Sequence, residues 1–452
     1  MRSLIILKES IVWYSTSVLN RRQPLNGSSI LFLVCIFFLS NSANSQTTGN
    51  AAKVTSVNTK NSNSTLLSDT ASAVSNFKPG QKEFTIALLL PFEGSKAFIN
   101  NLDDPSTYYF PEESQLAAAY YQGCVFALDS LAKSGMRARL LVYDVGMDTT
   151  ALRAKLFNGE LKNADLIIGP VGNNSLRITT EYATRNKTWL VSPFSTTAIG
   201  STPSPYYVLA NATMKTHCEK TIDYINKTPY QDKLILIYKK RPWETELASY
   251  LKEYQLSQQA EGKRAIEFVE LTDSSVIKYT HVKNVLSDSG RNIIIIPSND
   301  ETFVRSVIKQ LNGLAEEYLI TVYGMPTWTN FEHITTEQFA KVSTHITQNF
   351  WLDKSNAAVI RFQQAYAGKY AMNPANFAIK GYDQVLYFGE LLLQNGTGLD
   401  GAFSKHNSSG LAEHFAIEPK RLPGSTEEIW YYENKSVFML RMEENAWKKV
   451  SE

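Results

Sequence analysis

The sequence predicts an α/β protein made of two lobes, each a mostly parallel sheet flanked by helices. Three observations predict it. Apolar, β-branched runs such as "NIIII" at Asn292–Ile296 recur without polar alternation, as expected of strands covered on both faces. Helical stretches separate these runs, the grammar of right-handed crossovers between parallel strands. Three runs also end alike, passing from apolar residues to Pro and then to small polar groups, as strand-to-helix junctions do.

The 452 residues suffice for roughly two or three domains. An apolar content of 43% supplies packed cores, and 45 basic against 43 acidic residues give no electrostatic reason to expect nucleic acid or an anionic membrane as partner.

The first 45 residues read as a leader. Arg21 and Arg22 precede the apolar run Ile30–Leu39, too short to span a bilayer and suited to a signal-peptide core, and Ala43 and Ser45 stand at the small positions before a cut after Ser45. Retention of that run as a membrane anchor is the alternative. Cys35 follows Leu33 and Val34 and lacks the small residue that precedes a lipidated cysteine. Residues 46–82, rich in Asn, Ser and Thr, are expected to form a disordered tether.

Beyond the tether the elements alternate. "FTIALLLPF" (Phe84–Phe92) is a strand, a helix runs from Glu113 to Lys133, and "RARLLVYDVG", "ADLIIGPVGNNS" and "TWLVSPFSTTAIG" contain the next three strands. "KLILIY", "AIEFVEL", "NIIIIP" and "YLITVYG" form a second series, followed by helices over Ala357–Tyr370 and from near Tyr382, then short strands with a turn at Glu433–Lys435. The predicted organisation is lobe one from 83–208 plus 328–400 and lobe two from 209–327 plus 401–452. Cys124 and Cys218 fall in predicted helices and are expected to be buried free thiols.

The junctions carry the functional expectation. Ser298 and Glu301 have the spacing of a capping box. Asn174 and Ser175 follow Gly169 and Pro170, and Ser195 and Thr196 follow Pro193. In open parallel sheets ligands bind beyond the carboxyl ends of the strands, where helix N-termini converge. The same residue types are the preferred N-caps, so only convergence in space separates binding from capping.

Taken in order, "IALLLPF", "AAAYYQGCVFALDSL", "LLVYDVGMDT", "LIIGPVGNNS" and "LVSPFSTT" resemble the first lobe of type I periplasmic binding proteins, the leucine-binding-like fold of branched-chain amino-acid receptors. "IIIIPSNDETFV", "YLITVYGMPTWTNFE" and "FAIKGYDQVLYFGELL" look like an exported Bacteroidetes branch in which this fold often follows peptidoglycan-binding LysM modules; none stands in the tether. The resemblance implies crossing hinge strands and a ligand held by Asn174, Ser175, Ser195 and Thr196, with Trp243 or Trp328 as the aromatic of the second lobe; if the polar junctions form a cleft, Ser298 and Asn299 face them from the other lobe. It implies a periplasmic solute-binding or sensing protein, of the kind that serves ABC transporters, for a small polar ligand such as an amino acid or peptidoglycan fragment. A ligand-free envelope scaffold or activator of peptidoglycan synthesis, working through a protein partner, is the alternative.

Enzymatic motifs are missing: no Gly-x-Gly-x-x-Gly, Walker loop, Gly-x-Ser-x-Gly or His-Glu-x-x-His occurs. Ser-x-x-Lys appears at Ser130, Ser249 and Ser306, a repetition typical of chance, and the six histidines lack ligand spacing. Neither catalysis, a cofactor nor a metal is expected. Asp144 and Asp383 stand at strand-end and helix positions where carboxylates usually cap.

Overall fold

The computed structural model describes residues 5–7, 10–11, 82–99, 108–146, 149–197, 202–227, 233–260, 268–273 and 278–451. The predicted leader, apart from those five N-terminal residues, and the tether, apart from Lys82, lie outside the described residues. The chain divides into two compact units, residues 1–210 with 352–434 and residues 211–351 with 435–452.

In the first unit, β1 (Glu83–Leu90) pairs in parallel with β2 (Arg137–Asp144) and β3 (Leu166–Ile168). The parallel series continues through β4 (Trp189–Ser192) and β5 (Tyr207–Leu209). Two short strands, Ile5–Leu7 and Ser10–Ile11, extend the β2 edge. Successive residues of β1 fall into different cores: Ile86, Leu88 and Leu90 pack on one face, Ala87 and Leu89 on the other. Both faces are dry, which is why the strand reads as an unbroken apolar run.

Helix α1 (Glu112–Lys133) covers one face; α2 (Thr150–Phe157) and α3 (Asn173–Asn186) link β2 to β3 and β3 to β4. In the second unit, α4 (Met214–Ile225), α5 (Pro242–Ala260), α6 (Tyr279–Val285) and α7 (Glu301–Leu314) alternate with β6 (Lys233–Lys239), β7 (Phe268–Asp273), β8 (Arg291–Ile295) and β9 (Leu319–Tyr323). Its seven-stranded sheet begins β7-β6-β8-β9, and these four strands are parallel. The isoleucines that suggested a doubly covered strand, Ile293 to Ile296, are each at most 2% exposed.

The predicted lobe boundaries are corrected at two places. Residues 328–351, expected in lobe one, stay with the second unit, because α8 (Thr336–Lys341) leads into β10 (His345–Gln348), whose His345 pairs in parallel with Tyr323 of β9. Residues 401–434, expected in lobe two, belong to the first unit: β11 (Ile417–Arg421) and β12 (Ile429–Asn434) extend the first sheet, β12 lying parallel to β5. The predicted turn at Glu433–Lys435 is instead where the chain leaves that sheet for the antiparallel pair β13 (Phe438–Glu443) and β14 (Ala446–Ser451) of the second.

Helices α9 (Ala357–Tyr370) and α10 (Asn376–Asn395) return to the first unit. The contact of α10 with α1 is backbone-close. A Cβ on Gly123 would stand 1.8 Å from the Ala378 carbonyl oxygen, and one on Gly381 2.3 Å from that of Tyr120. Cys124 and Cys218 are both free and buried. No helix among the described residues is long and apolar enough to cross a membrane.

Candidate functional site

In the first unit, two predicted junctions follow adjacent strands. Ile168 of β3 is in register with Val191 of β4, and the Gly169 N–H donates to the Val191 carbonyl at 2.9 Å. The sharp departure after β3 depends on Gly169, whose φ of +90° and separation from the Leu89 carbonyl exclude a side chain: a Cβ would sit 2.1 Å from that oxygen. Gly172, at φ +98°, then starts α3 with no side-chain cap. The first-turn N–H groups, at Asn173 to Ser175, therefore have no intrahelical acceptor and no capping hydroxyl. Asn174 is exposed; Ser175 is 2% exposed, and its carbonyl accepts from the Thr179 hydroxyl at 2.9 Å.

After β4 the chain folds into a hydroxyl-rich turn. The Ser192 hydroxyl accepts from the Ser195 N–H at 3.3 Å, and the Ser195 hydroxyl accepts from the Thr197 N–H and donates to the Thr197 carbonyl. Ser195 and Thr196 are half-buried. Burial pushes the Tyr207 phenol well above its ordinary pKa, with the neighbouring Ser192 and Ser195 hydroxyls opposing the shift, so it stays neutral.

Side chains far away in sequence hold the turn. Phe194 packs edge-on against Tyr120 and Phe377, with centroids 5.2 and 5.7 Å apart. The Pro193 carbonyl accepts from Gln384 Nε2 at 3.1 Å. Gln384 also donates to the buried Glu413 carboxylate at 3.1 Å and accepts from the Tyr120 hydroxyl at 2.7 Å, and Glu413 is paired with Lys380. Burial raises the Glu413 pKa, and the Lys380 ammonium opposes it. Tyr207 and this Tyr120–Gln384–Glu413–Lys380 chain were not singled out from the sequence, whose motifs mark strand ends and carry no signal for side chains arriving from another helix.

Asp144 and Asp383 act as loop caps. Asp144 accepts from the N–H groups of Glu93, Gly94 and Gly146, and Asp383 from those of Leu411, Ala412 and Glu413.

The second unit treats its junction differently. The predicted Ser298–Glu301 capping box does not form: Asp300 is the N-cap of α7, accepting from the Phe303 N–H at 3.1 Å, and Glu301 accepts from the His333 N–H. Ser298 is wholly buried; its hydroxyl donates to Glu244 Oε1 at 2.6 Å, while Glu244 Oε2 accepts from the Lys239 N–H at 2.7 Å. Burial pushes the Asp300 carboxyl up, but the Phe303 N–H, Lys239 and Arg241 outweigh it and hold the pKa below the ordinary value.

Trp328 is a core residue, 1% exposed, stacked on Phe331 and Phe339, and its indole N–H donates to the Ser298 carbonyl at 2.8 Å. Ser298 and Trp328 are thus internal, which removes both from the candidate ligand contacts. Asn299 is exposed and accepts from the Thr327 hydroxyl, and Trp243 is exposed in the first turn of α5.

Among the described residues no three His, Cys, Asp or Glu side chains gather as a metal site.

No curated protein sequence matches. Solved structures with the same fold include one described as a branched-chain amino-acid ABC transporter protein of Rhodospirillum rubrum, 12% identical, with a TM-score of 0.58 over 82% of this chain and 100% of that one. A branched-chain amino-acid ABC transporter periplasmic ligand-binding protein of Burkholderia xenovorans is 10% identical, with a TM-score of 0.54 over 81% and 94%. An ABC transporter substrate-binding protein of Desulfitobacterium hafniense is 13% identical, with a TM-score of 0.50 over 82% and 100%. At such identities the likeness concerns the fold. The sequence profile of the periplasmic binding proteins, a family of binding proteins rather than enzymes, matches residues 114–404. That match spans more than half of the sequence, and the chain belongs to the periplasmic binding protein family.

Proposed function

We propose that the protein is a periplasmic solute-binding or sensing protein that closes on a small polar ligand bearing a carboxylate, such as an amino acid or a peptidoglycan fragment. One observation carries this reading: the uncapped N-terminus of α3 and the Ser195–Thr196 turn follow two hydrogen-bonded neighbouring strands. N–H groups at a helix start and nearby hydroxyls neutralise a carboxylate without an arginine. Asn174, Ser195 and Thr196 are the contacts proposed in the first unit, with Ser175 acting through its backbone N–H. Asn299 and Trp243, exposed in the second unit, are separate mutational targets.

Export by a leader cut after Ser45 and kinship with the exported Bacteroidetes branch belong to the same proposal, resting on the residue patterns of the leader and of the later motifs. The rival reading is the envelope scaffold or activator of peptidoglycan synthesis. It is favoured by one detail, that the Ser195 hydroxyl already has partners in its own turn.

A thermal-shift screen of amino acids and peptidoglycan fragments separates the two readings. A ligand at a hundred times its dissociation constant stabilises by about 2.7 kcal/mol. A stabilising ligand whose effect is lost in Thr196→Val supports the binding reading. No shift with any compound, together with co-purification of a synthase, replaces it with the scaffold.

A further inference from the structure

The second unit contains a pocket of about 580 Å³ that none of the junction residues lines. Its wall is built from the last turns of α4 and α5, with Thr347, Val437, Met439 and Ser451 from the sheet side. Volumes of this order hold small organic ligands.

The composition of the wall is selective. Lys220 of α4 and Lys227, just past its C-cap, line it, and among the described residues neither forms an ion pair. The one carboxylate of the wall, Asp223, already accepts from the Tyr254 hydroxyl at 2.8 Å. Cationic groups are therefore in excess. Asn226, the C-cap of α4, stands in the same wall, and both its side-chain oxygen and nitrogen are buried without a hydrogen-bond partner among the described residues. A buried amide left unmatched is a standing cost, and native folds seldom retain one without a use. Asn226 lines the pocket, so a molecule bound there meets that amide once its side chain turns toward it. Tyr224, Val437 and Met439 complete it with apolar surface.

An amide asks for a partner that both donates and accepts, and free ammonium groups ask for an anion. We propose that this pocket is a second binding site, for a small molecule carrying an amide bond next to a carboxylate: an N-acyl amino acid or the carboxyl end of a short peptide. The Asn226 amide pairs with the ligand's amide in both directions, Lys220 and Lys227 take the carboxylate, and the apolar floor takes a small side chain.

The test is calorimetric titration of the full chain with N-acetyl-alanyl-alanine, its C-terminal amide and inorganic phosphate. The acetylated dipeptide is expected to bind, and the amide to bind about tenfold more weakly or worse. Asn226→Ala and the double variant Lys220→Ala/Lys227→Ala should each weaken the dipeptide by about tenfold or more, while Lys162→Ala, at an exposed lysine of the first unit, leaves it unchanged. Asn226→Ala should also keep or raise the melting temperature, since it removes an unmatched buried group, so weaker binding cannot be ascribed to misfolding. Absence of dipeptide binding at millimolar concentration overturns the proposal, as does binding that Ser195→Ala abolishes and Asn226→Ala leaves intact, or phosphate binding as tightly as the dipeptide.

Discussion

The junction after β4 and the junction after β8 read alike in sequence, "LVSPFS" and "IIPSND", yet the two units use them in opposite ways. After β4, among the described residues, the hydrogen bonds of the Ser192 and Ser195 hydroxyls stay within their own turn, and Thr196 stays half-exposed. After β8 the Ser298 hydroxyl is drawn inward by Glu244, 54 residues earlier, and the Trp328 indole closes over its carbonyl. The difference teaches that a strand–Pro–Ser motif displays its hydroxyl only where no buried acceptor from another element reaches it. A carboxylate that must itself be satisfied recruits the nearest donor, because an unmatched buried charge costs more than a lost surface contact.

The strongest way to break the comparison is Trp328→Ala. It removes a buried indole that packs on two rings and bonds to Ser298, and should destabilise the second unit by about 3–5 kcal/mol. Hydrogen exchange resolved by segment is expected to show the loss in β8, β9 and α7, with β1 to β5 unchanged; equal loss in both units would refute independent cores.

Acidity separates the units next. Burial, reinforced by Lys435 and opposed by a hydrogen bond from Asn349, lowers the pKa of His217 in the second unit to about 3, and burial lowers that of His345 to about 4. Their folded values lie below the unfolded value of about 6.5, so the stability they contribute is present above that pH and is lost as pH falls toward 3–4. Asp383 in the first unit has the opposite sign. Burial pushes it up to about 7, against the N–H donors of Leu411, Ala412 and Glu413 and with the Glu413 charge adding, so its contribution is present below about 3.9 and lost as pH rises through 7. Exchange at pH 5 should weaken the second unit relative to the first, and exchange at pH 8 the reverse; parallel responses would remove these groups as the cause.

Ser298→Ala is a smaller perturbation. It leaves Glu244 Oε1 without its donor and should cost about 1.5–3 kcal/mol, the range for a hydrogen bond to a charged group. Glu244→Gln, which keeps the shape and one acceptor, should cost less. A Ser298→Ala loss well below 1 kcal/mol would mean that the lock contributes little beyond packing.

The least effect on the fold is expected for Ser195→Ala. Only local bonds in a half-exposed turn are lost, so stability should change by about 0.5–1.5 kcal/mol, while affinity for a carboxylate ligand falls by about 1–3 kcal/mol. Denaturant titration and calorimetry check the two separately. A stability loss matching that of Ser298→Ala would erase the distinction between the junctions.

What the sequence determined by itself is whatever depends on near neighbours along the chain. Unbroken apolar runs mark strands covered on both faces, and the helices at Glu112–Lys133 and Ala357–Tyr370 lie within a residue of where pattern and caps put them. Asn174 and Ser175 fall at a helix start, as their spacing after Pro170 implied. Tertiary structure decided the rest, through contacts no local pattern encodes. Pairing of β10 with β9 and of β12 with β5 assigned residues 328–351 and 401–434 to their units. Glu244 converted Ser298 from a cap into an internal donor, and Gln384 and Glu413 secured the Pro193 turn from another helix and a distant loop. Helix and strand periods are set by neighbouring residues, whereas the partner of a buried polar group is set by whichever element packs against it, and that is known only once the chain has folded.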